Sequence, residues 1–296
     1  MSITNNINYY QDDKDTVTAV KTIGIIGNST KENAADCAVE LARWLEARDI
    51  GVLFEQEIAD VTGNPGVERY ELAKRSDLLV VFGGDGTLIG AARYAAENEV
   101  PIVGINLGGF GFMTVVGLSE MYETMERIIS GDYTVSERMM LDARIAGEYY
   151  TALNDVVISR GSQSRMIYME TYVDKQYLTT YKADGLIIAT PTGSTAYSLS
   201  TGGPIVFPEM NSIIITPICP HTLTNRPIMI SQDATIDVLL LSVEKKASVT
   251  VDGQVLKILR TGETVSVRKS DRSVNLVNSP FHDYLDILRT KLGWGG

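Results

Sequence analysis

The residues Gly83-Gly84-Asp85-Gly86-Thr87 directly follow an apolar run from Leu78 to Phe82. A short buried strand that empties into glycines builds a loop at the carboxyl edge of a sheet, where ligands of open α/β domains sit. Glycine removes the side chain that would block phosphate oxygens, and a helix beginning near Thr87 aims its free N–H groups at the same anion. Asp85 is the odd member, because a negative charge beside a phosphate is costly unless it binds a metal or takes a proton. The plain alternative is a tight turn that caps a helix. A second glycine-rich stretch, Asn106 to Met113, follows the apolar residues Ile102 to Ile105. Asn154 and Asp155 stand side by side inside the apolar run Ala152 to Ile158, where their removal from water needs compensation. A bulge or strand end there is the ordinary explanation. The longest polar cluster runs from Asp184 to Pro204 and holds Thr190-Pro-Thr-Gly-Ser-Thr195, a turn of hydroxyls and backbone donors able to cap a helix or bind a base and ribose.

The elements that position these groups change style near residue 140. From Thr22 to about 140, short apolar runs alternate with amphipathic helices, the mark of βαβ units and a mainly parallel sheet. Strands are expected at 22–26, 51–54, 78–82 and 102–105. Ser29 and Glu32 form a capping-box pattern before a helix through Leu41 and Leu45, a Gly/Pro-containing connection precedes the helical 68–75, and a further helix is expected at 119–130. Beyond 138 the chain turns to short β-rich runs separated by turn residues, as in an all-β sandwich or related multi-sheet domain. Runs 140–146 and 149–159 read as a hairpin across Gly147-Glu148, and 264–267 and 274–277 as two separate strands. The last segment, 281–292, is helical and has little β surface of its own to cover, so it is expected to return to the first domain. The fold class is therefore a Rossmann-like α/β domain followed by an all-β domain. The expected limits are a disordered tail at 1–20, an α/β nucleotide-binding domain at 21–139 plus 280–296, and a β-rich domain at 140–279.

At 296 residues and 44% hydrophobic, the chain can bury two cores. Its net charge of −11 argues against nucleic acid and anionic membranes as partners, since both reward basic patches. Cys37 and Cys219 lack metal-ligand spacing and read as free thiols in a reducing compartment. The opening residues have no basic region followed by an apolar core, and no apolar run approaches a membrane span, so a cytoplasmic location is expected. His221 and His282, the two histidines, and Trp44 and Trp294 read as packing or surface residues.

Taken in order, Gly83 to Thr87, Asn106-Leu-Gly-Gly-Phe-Gly-Phe112, Asn154-Asp155, Asp184 to Tyr197, His221-Thr-Leu, Arg226-Pro227 and Asp252-Gly253 resemble the successive motifs of NAD kinases. The likeness runs from about residue 22 to Trp294, and the Asp184 to Pro204 stretch is its most specific part. It implies transfer of a phosphoryl group from ATP or polyphosphate, with Mg²⁺, to the 2′-hydroxyl of the adenosine ribose of NAD. It implies Asp85 as the catalytic carboxylate, with metal ligation left open as a second role for it and no other metal ligand assigned. Gly83, Gly84, Gly86 and Thr87 fall at the phosphate-side loop. Phe112 falls beside the adenine, Asn154 at the ribose hydroxyls, Thr195, Ala196 and Tyr197 on the adenine-side turn, and Asp184 on a carboxylate lining the same pocket. Lys182, close by, is a candidate cation for the dinucleotide phosphates. Two positions depart from the family: Asp155 stands where glutamate is usual, and Phe110 where leucine is usual. The resemblance also implies a homodimer or homotetramer in which a neighbour helps close the NAD site.

Other readings differ in what they require. Diacylglycerol-type lipid kinases share the first loop, but carry an Asn-Glu pair after the threonine where this chain has Leu88-Ile89. Phosphofructokinases share Gly-Gly-Asp-Gly but continue as α/β. Hydride transfer would need a Gly-x-Gly-x-x-Gly fingerprint after the first strand, where Gly27-Asn-Ser-Thr stands. A non-catalytic NAD sensor on the same fold would have no use for both Asp85 and Thr87.

Overall fold

The computed structural model describes residues 20–31, 33–161, 166–241 and 246–294. The expected tail therefore lies outside the described residues, apart from Val20. The first half runs β1 (Thr22–Gly27), α1 (Ala34–Glu46), β2 (Gly51–Glu55), α2 (Gln56–Thr62), β3 (Gly66–Val67), α3 (Arg69–Lys74), β4 (Leu78–Phe82), α4 (Asp85–Asn98), β5 (Ile102–Asn106), β6 (Val116–Gly117) and α5 (Met121–Ser130). The second half runs β7 (Val135–Ile145), β8 (Glu148–Ala152), β9 (Asp155–Arg160), β10 (Ile167–Val173), β11 (Gln176–Ala183), β12 (Gly185–Ala189), α6 (Tyr197–Ser200), β13 (Ser212–Ile218), β14 (Ile228–Ser231), β15 (Ile236–Leu240), β16 (Lys246–Val251), β17 (Val255–Arg260), β18 (Thr264–Val277) and α7 (Tyr284–Leu292).

β4, β1 and β2 pair in parallel, with β5 on the other side of β4. Every residue of β4 is buried, because helices cover both faces of a parallel sheet and leave no polar side. One face holds Ile23, Ile25, Val80 and Phe82 against Leu41 and Leu45 of α1. The other holds Ile26, Leu79 and Val81 against Leu88, Ala91 and Ala95 of α4. Alternation along each strand thus assigns the helices to opposite layers.

The second half is two antiparallel layers packed face to face. A six-stranded sheet among the described residues runs β14-β13-β12-β9-β16-β17. Its inward residues Val156, Ile158, Leu186, Ile188, Val249 and Val251 meet Leu141, Ala143, Val238, Val265 and Val267 of the other layer. That other layer is continuous with the first half. β18 is one strand of 14 residues, not the two expected, and it pairs with β15 and β7 at its start. Its end, Ser273 to Val277, still pairs with Met139 to Val135 of β7, and Leu276 lies beside Ile102 of β5. A register shift between Lys269 and Ser273 bends the strand between the two layers.

Three local readings need correction. α1 begins at Ala34 after Asn33, whose φ is 65°, and Ser29 donates to Glu57 at 2.7 Å instead of capping the helix, while Glu32 lies outside the described residues. The connection after β2 contains α2. The run 149–159 splits at Leu153 and Asn154 into β8 and β9, which belong to different sheets. α7 returns to the first half as expected. His282 Nε2 lies 2.8 Å from Glu120 Oε1, and Lys291 Nζ stands 5.8 Å from the Phe112 ring.

Candidate active site

The first glycine loop and α4 meet two residues earlier than the expected start near Thr87. Gly84 is the N-cap, and Asp85 is the first helical residue. Its carboxylate turns across to the second glycine loop. Oδ2 accepts the N–H of Phe112 at 2.8 Å, and Oδ1 accepts the N–H groups of Met113 and Thr114, both at 3.0 Å, and the Thr114 hydroxyl at 3.1 Å. Oδ1 is saturated, whereas Oδ2 keeps acceptor capacity. Gly111 is obligatory here, since a Cβ would stand 2.1 Å from Asp85 Oδ1.

Beside this helix start lies a cavity of about 430 Å³ lined by Gly84, Gly86, Thr87, Gly27, Asn28, Lys31, Glu57, Arg69 and Gln254. Thr87 is the first residue of the turn whose N–H is taken, by Gly84. Helix N-terminal donors and two cations, Lys31 and Arg69, therefore face one space. Arg69 also pairs with Glu55, whose carboxyl burial pushes upward against the pull of the guanidinium. It lies 3.6 Å from Glu57 as well.

The acceptor-side residues are built by three turns. Leu153, Asn154 and Asp155 donate their N–H groups to the Asp252 carboxylate at 2.8, 2.7 and 3.1 Å. Thr190 donates its hydroxyl to the Leu153 carbonyl at 2.6 Å and its N–H to the Asn154 carbonyl at 2.9 Å. The 3-10 turn Thr192–Thr195 then packs so closely that a Cβ on Gly193 would be 2.1 Å from the Asn154 carbonyl. This brings Asn154, Thr195, Ala196 and Tyr197 to one end of β9 and β12. Asn154 Oδ1 is buried without a partner. Asp155 is 5% exposed, and burial, with the Asp252 charge adding to it, raises its carboxyl to about 7. Asp252 is shifted upward by burial too, but its three N–H donors oppose the shift.

Lys182 and Asp184 are elsewhere in the same chain. Register pairs Ala189 with Asp155 and Gly185 with Ser159, so Asp184 lies at the opposite end of β12. That end is about 15 Å away along the strand. Asp184 there pairs with Arg160 at 3.1 Å, and Lys182 Nζ lies 5.6 Å from the Tyr168 ring.

Two family models cover these parts, the ATP-NAD kinase N-terminal domain over residues 23–133 and the ATP-NAD kinase C-terminal domain over 153–279. An NAD kinase of Geotalea daltonii is 47% identical over 284 residues, spanning 93% of this chain and 99% of its own. That of Solibacter usitatus is 42% identical over 282 residues, with 93% and 98% covered. The chain belongs to the NAD kinase family. Among solved structures, yeast NADH kinase complexed with NADH superposes with a TM-score of 0.87 at 25% identity, covering 94% of this chain and 89% of that one. An Archaeoglobus fulgidus NAD kinase in complex with ATP shares the fold at TM-score 0.75 and 23% identity, with 93% and 100% covered. The family reaction is phosphoryl transfer from ATP to NAD, which makes this chain a transferase and removes the lipid-kinase and sensor readings.

Sequence reasoning missed Lys31, Arg69 and Gln254, and it noted Asp252-Gly253 without giving Asp252 a role. Asp252-Gly253 between two alternating apolar runs is a hairpin signal that marks this tip, and β17 after it was unread. No comparable signal singles out Lys31 or Arg69 among the 26 Lys and Arg of the chain.

The buried Asp155 makes stability depend on pH. Between its ordinary value near 3.8 and its folded value near 7, the unfolded chain releases a proton that the folded chain keeps. Asp155 therefore costs stability progressively as pH rises through that window, and a constant amount above it. Asp155→Asn removes this cost. Its melting temperature relative to the parent, without ligands, should rise from pH 4.5 to pH 8 by about 3 °C or more. A pH-independent difference would contradict the assignment.

Proposed function

We propose that the site transfers the γ-phosphoryl group of Mg²⁺-ATP to the 2′-hydroxyl of the adenosine ribose of NAD, with Asp85 as the catalytic carboxylate. The observation that carries this reading is Asp85 Oδ2, an acceptor with spare capacity at the mouth of a helix N-terminus beside a cationic cavity. In that arrangement the triphosphate occupies the cavity, its oxygens facing the first-turn N–H groups of α4, with Lys31 and Arg69 neutralising charge. The ribose hydroxyl lies between Oδ2 and the γ-phosphorus. As the bond from its oxygen to phosphorus forms and the β,γ-bridging bond breaks, the hydroxyl proton passes to Oδ2, and ADP leaves with the electron pair. Positioning supplies most of the rate, so a carboxylate of ordinary basicity is sufficient.

The residues present fit Mg²⁺ as a phosphate-bound ion. No cluster of three or more His, Cys, Asp or Glu able to hold a metal occurs among the described residues, and Mg²⁺ is commonly bound by one or two carboxylates plus phosphates and water. Asp85 Oδ2 is the protein oxygen suited to join that shell, a role alternative to accepting the proton because the Phe112 N–H already takes one of its lone pairs. The ion would supply charge neutralisation on the transferring group.

On the acceptor side, Asn154 Oδ1 lacks a partner that a ribose hydroxyl would supply, and Asp155 stands next to it. Thr195, Ala196 and Tyr197 form the turn that receives the adenine in this reading, with Phe112 as a further adenine contact. Steady-state kinetics of NADP formation, run with ATP and with polyphosphate, separate the two sides. Lys31→Ala should raise KM for ATP several-fold and leave KM for NAD unchanged, and Asp155→Ala should do the reverse. Matching changes in both constants for either variant would contradict the division.

Asp184 lies about 15 Å along the strand from the Asn154 end, and we read it, with Lys182, as contributed to a neighbour's site in a homodimer or homotetramer. Mixed oligomers test this. Chains carrying Asp184→Ala and chains carrying Asn154→Ala should regain activity when reassembled together, because one site per pair is then whole. No recovery, or a monomeric mass with full parental activity, would overturn the proposal.

A further inference from the structure

The tip of the β16–β17 hairpin lies between the acceptor-side turn and the Asp85 loop. Asp252 has φ 52° and Gly253 φ 66°, so the chain reverses tightly and Gln254 N–H closes on the Val251 carbonyl at 3.0 Å. Five hydrogen bonds leave this tip in two directions. Toward β9, Asp252 accepts three consecutive N–H groups from Leu153 to Asp155, and its own N–H donates to the Asp155 carbonyl at 2.9 Å. Toward α4, the Gln254 side-chain amide donates to the Gly86 carbonyl at 3.2 Å, on the residue after Asp85. Gln254 also lines the cationic cavity and would meet a Cβ on Gly90 at 3.5 Å.

A hairpin needs none of these bonds for its own closure, since Val251 already pairs with Val255. A carboxylate drawn out of water and given three backbone donors is a costly way to make a turn. Its effect is to fix the backbone of Asn154 and Asp155, while Gln254 fixes the distance from that backbone to the helix start that carries Asp85. In-line transfer tolerates little error in the spacing of nucleophile and phosphorus.

We propose that Asp252 and Gln254 are positioning residues of the phosphoryl transfer, the hairpin tip holding the ribose-binding pair in register with the Asp85 loop. The proposal rests on the reading in which Asn154 holds the ribose and Asp85 takes its proton. Neither residue touches the reacting atoms.

Gln254 is exposed, so Gln254→Leu removes the amide with little effect on folding. NADP formation by this variant should show kcat lowered by roughly 10- to 100-fold with KM for NAD and for ATP each within about twofold of the parent. Gln254→Glu, which keeps the length but cannot donate when ionised, should lower kcat likewise, while its charge in the triphosphate cavity raises KM for ATP in addition. Asp252→Asn should lower kcat beyond any loss of folded protein, with melting followed in parallel. Should Asp252→Asn fail to fold, the Gln254 variants decide. An unchanged kcat in Gln254→Leu overturns the proposal, and so does a rise in KM for ATP with kcat intact, which would make Gln254 a donor contact. Absence of NADP from the parent in the same assay would instead remove the functional reading itself.

Discussion

The carboxylate of Asp85, received by the N–H groups of Phe112, Met113 and Thr114, is the interaction on which the site depends. Two glycine-rich loops at neighbouring strand edges have few side chains with which to hold each other. One charged acceptor at the start of α4 does it for both, and charge-assisted bonds of this kind are each worth about 1.5–3 kcal/mol. The same bonds orient the carboxylate, so that one oxygen is fully engaged and the other is left with capacity for chemistry. A structural tie and a reactive group are thus the same residue, and Gly111 is a glycine because the carboxylate and the Thr114 hydroxyl occupy the space a Cβ would need.

Asp252 repeats the device on the acceptor side, where three N–H groups again converge on one carboxylate. The two clamps could not work together if the halves of the chain drifted. β7 and β18 prevent that, because both strands run from the antiparallel layer into the edge of the parallel sheet, and Leu276 lies beside Ile102 of β5 while Val265 and Val267 sit in the second core. The α/β half and the β half therefore share a hydrogen-bonded ladder, which carries more orientational constraint than a surface contact would. α7 adds a second tether where His282 meets Glu120 and Phe110.

Much of this was legible in the residues. Apart from Thr22 and Asn106 at their ends, the strands 22–27, 78–82 and 102–106 are apolar, as parallel strands covered on both faces must be, and the glycine loops at their edges follow from that topology. The turn from Thr190 to Tyr197 and the Asn154-Asp155 pair stood out because polar groups inside apolar runs need a reason. Other features depended on contacts distant in sequence. The bulge that joins 264–267 to 274–277 is polar and reads as a loop until its partner β7 is known. Asp252 looks like any hairpin aspartate until residues 153–155 are found pointing at it. Lys182 and Asp184 sit close in sequence to Thr195 and Tyr197, but β12 separates them in space, because an extended chain rises about 3.3 Å per residue and carries its two flanks to opposite ends of the strand.

The central claim is that Asp85 takes part in the reaction and does not merely tie two loops together. Turnover of Asp85→Asn, with saturating NAD and Mg²⁺-ATP and with NAD affinity measured separately by calorimetry, tests it most directly. The asparagine keeps an acceptor for the loop but lacks charge and basicity, so NAD should still bind while kcat falls by roughly 10²- to 10⁴-fold. A kcat near that of the parent, with NAD affinity intact, would leave Asp85 as a structural tie alone and would contradict the account.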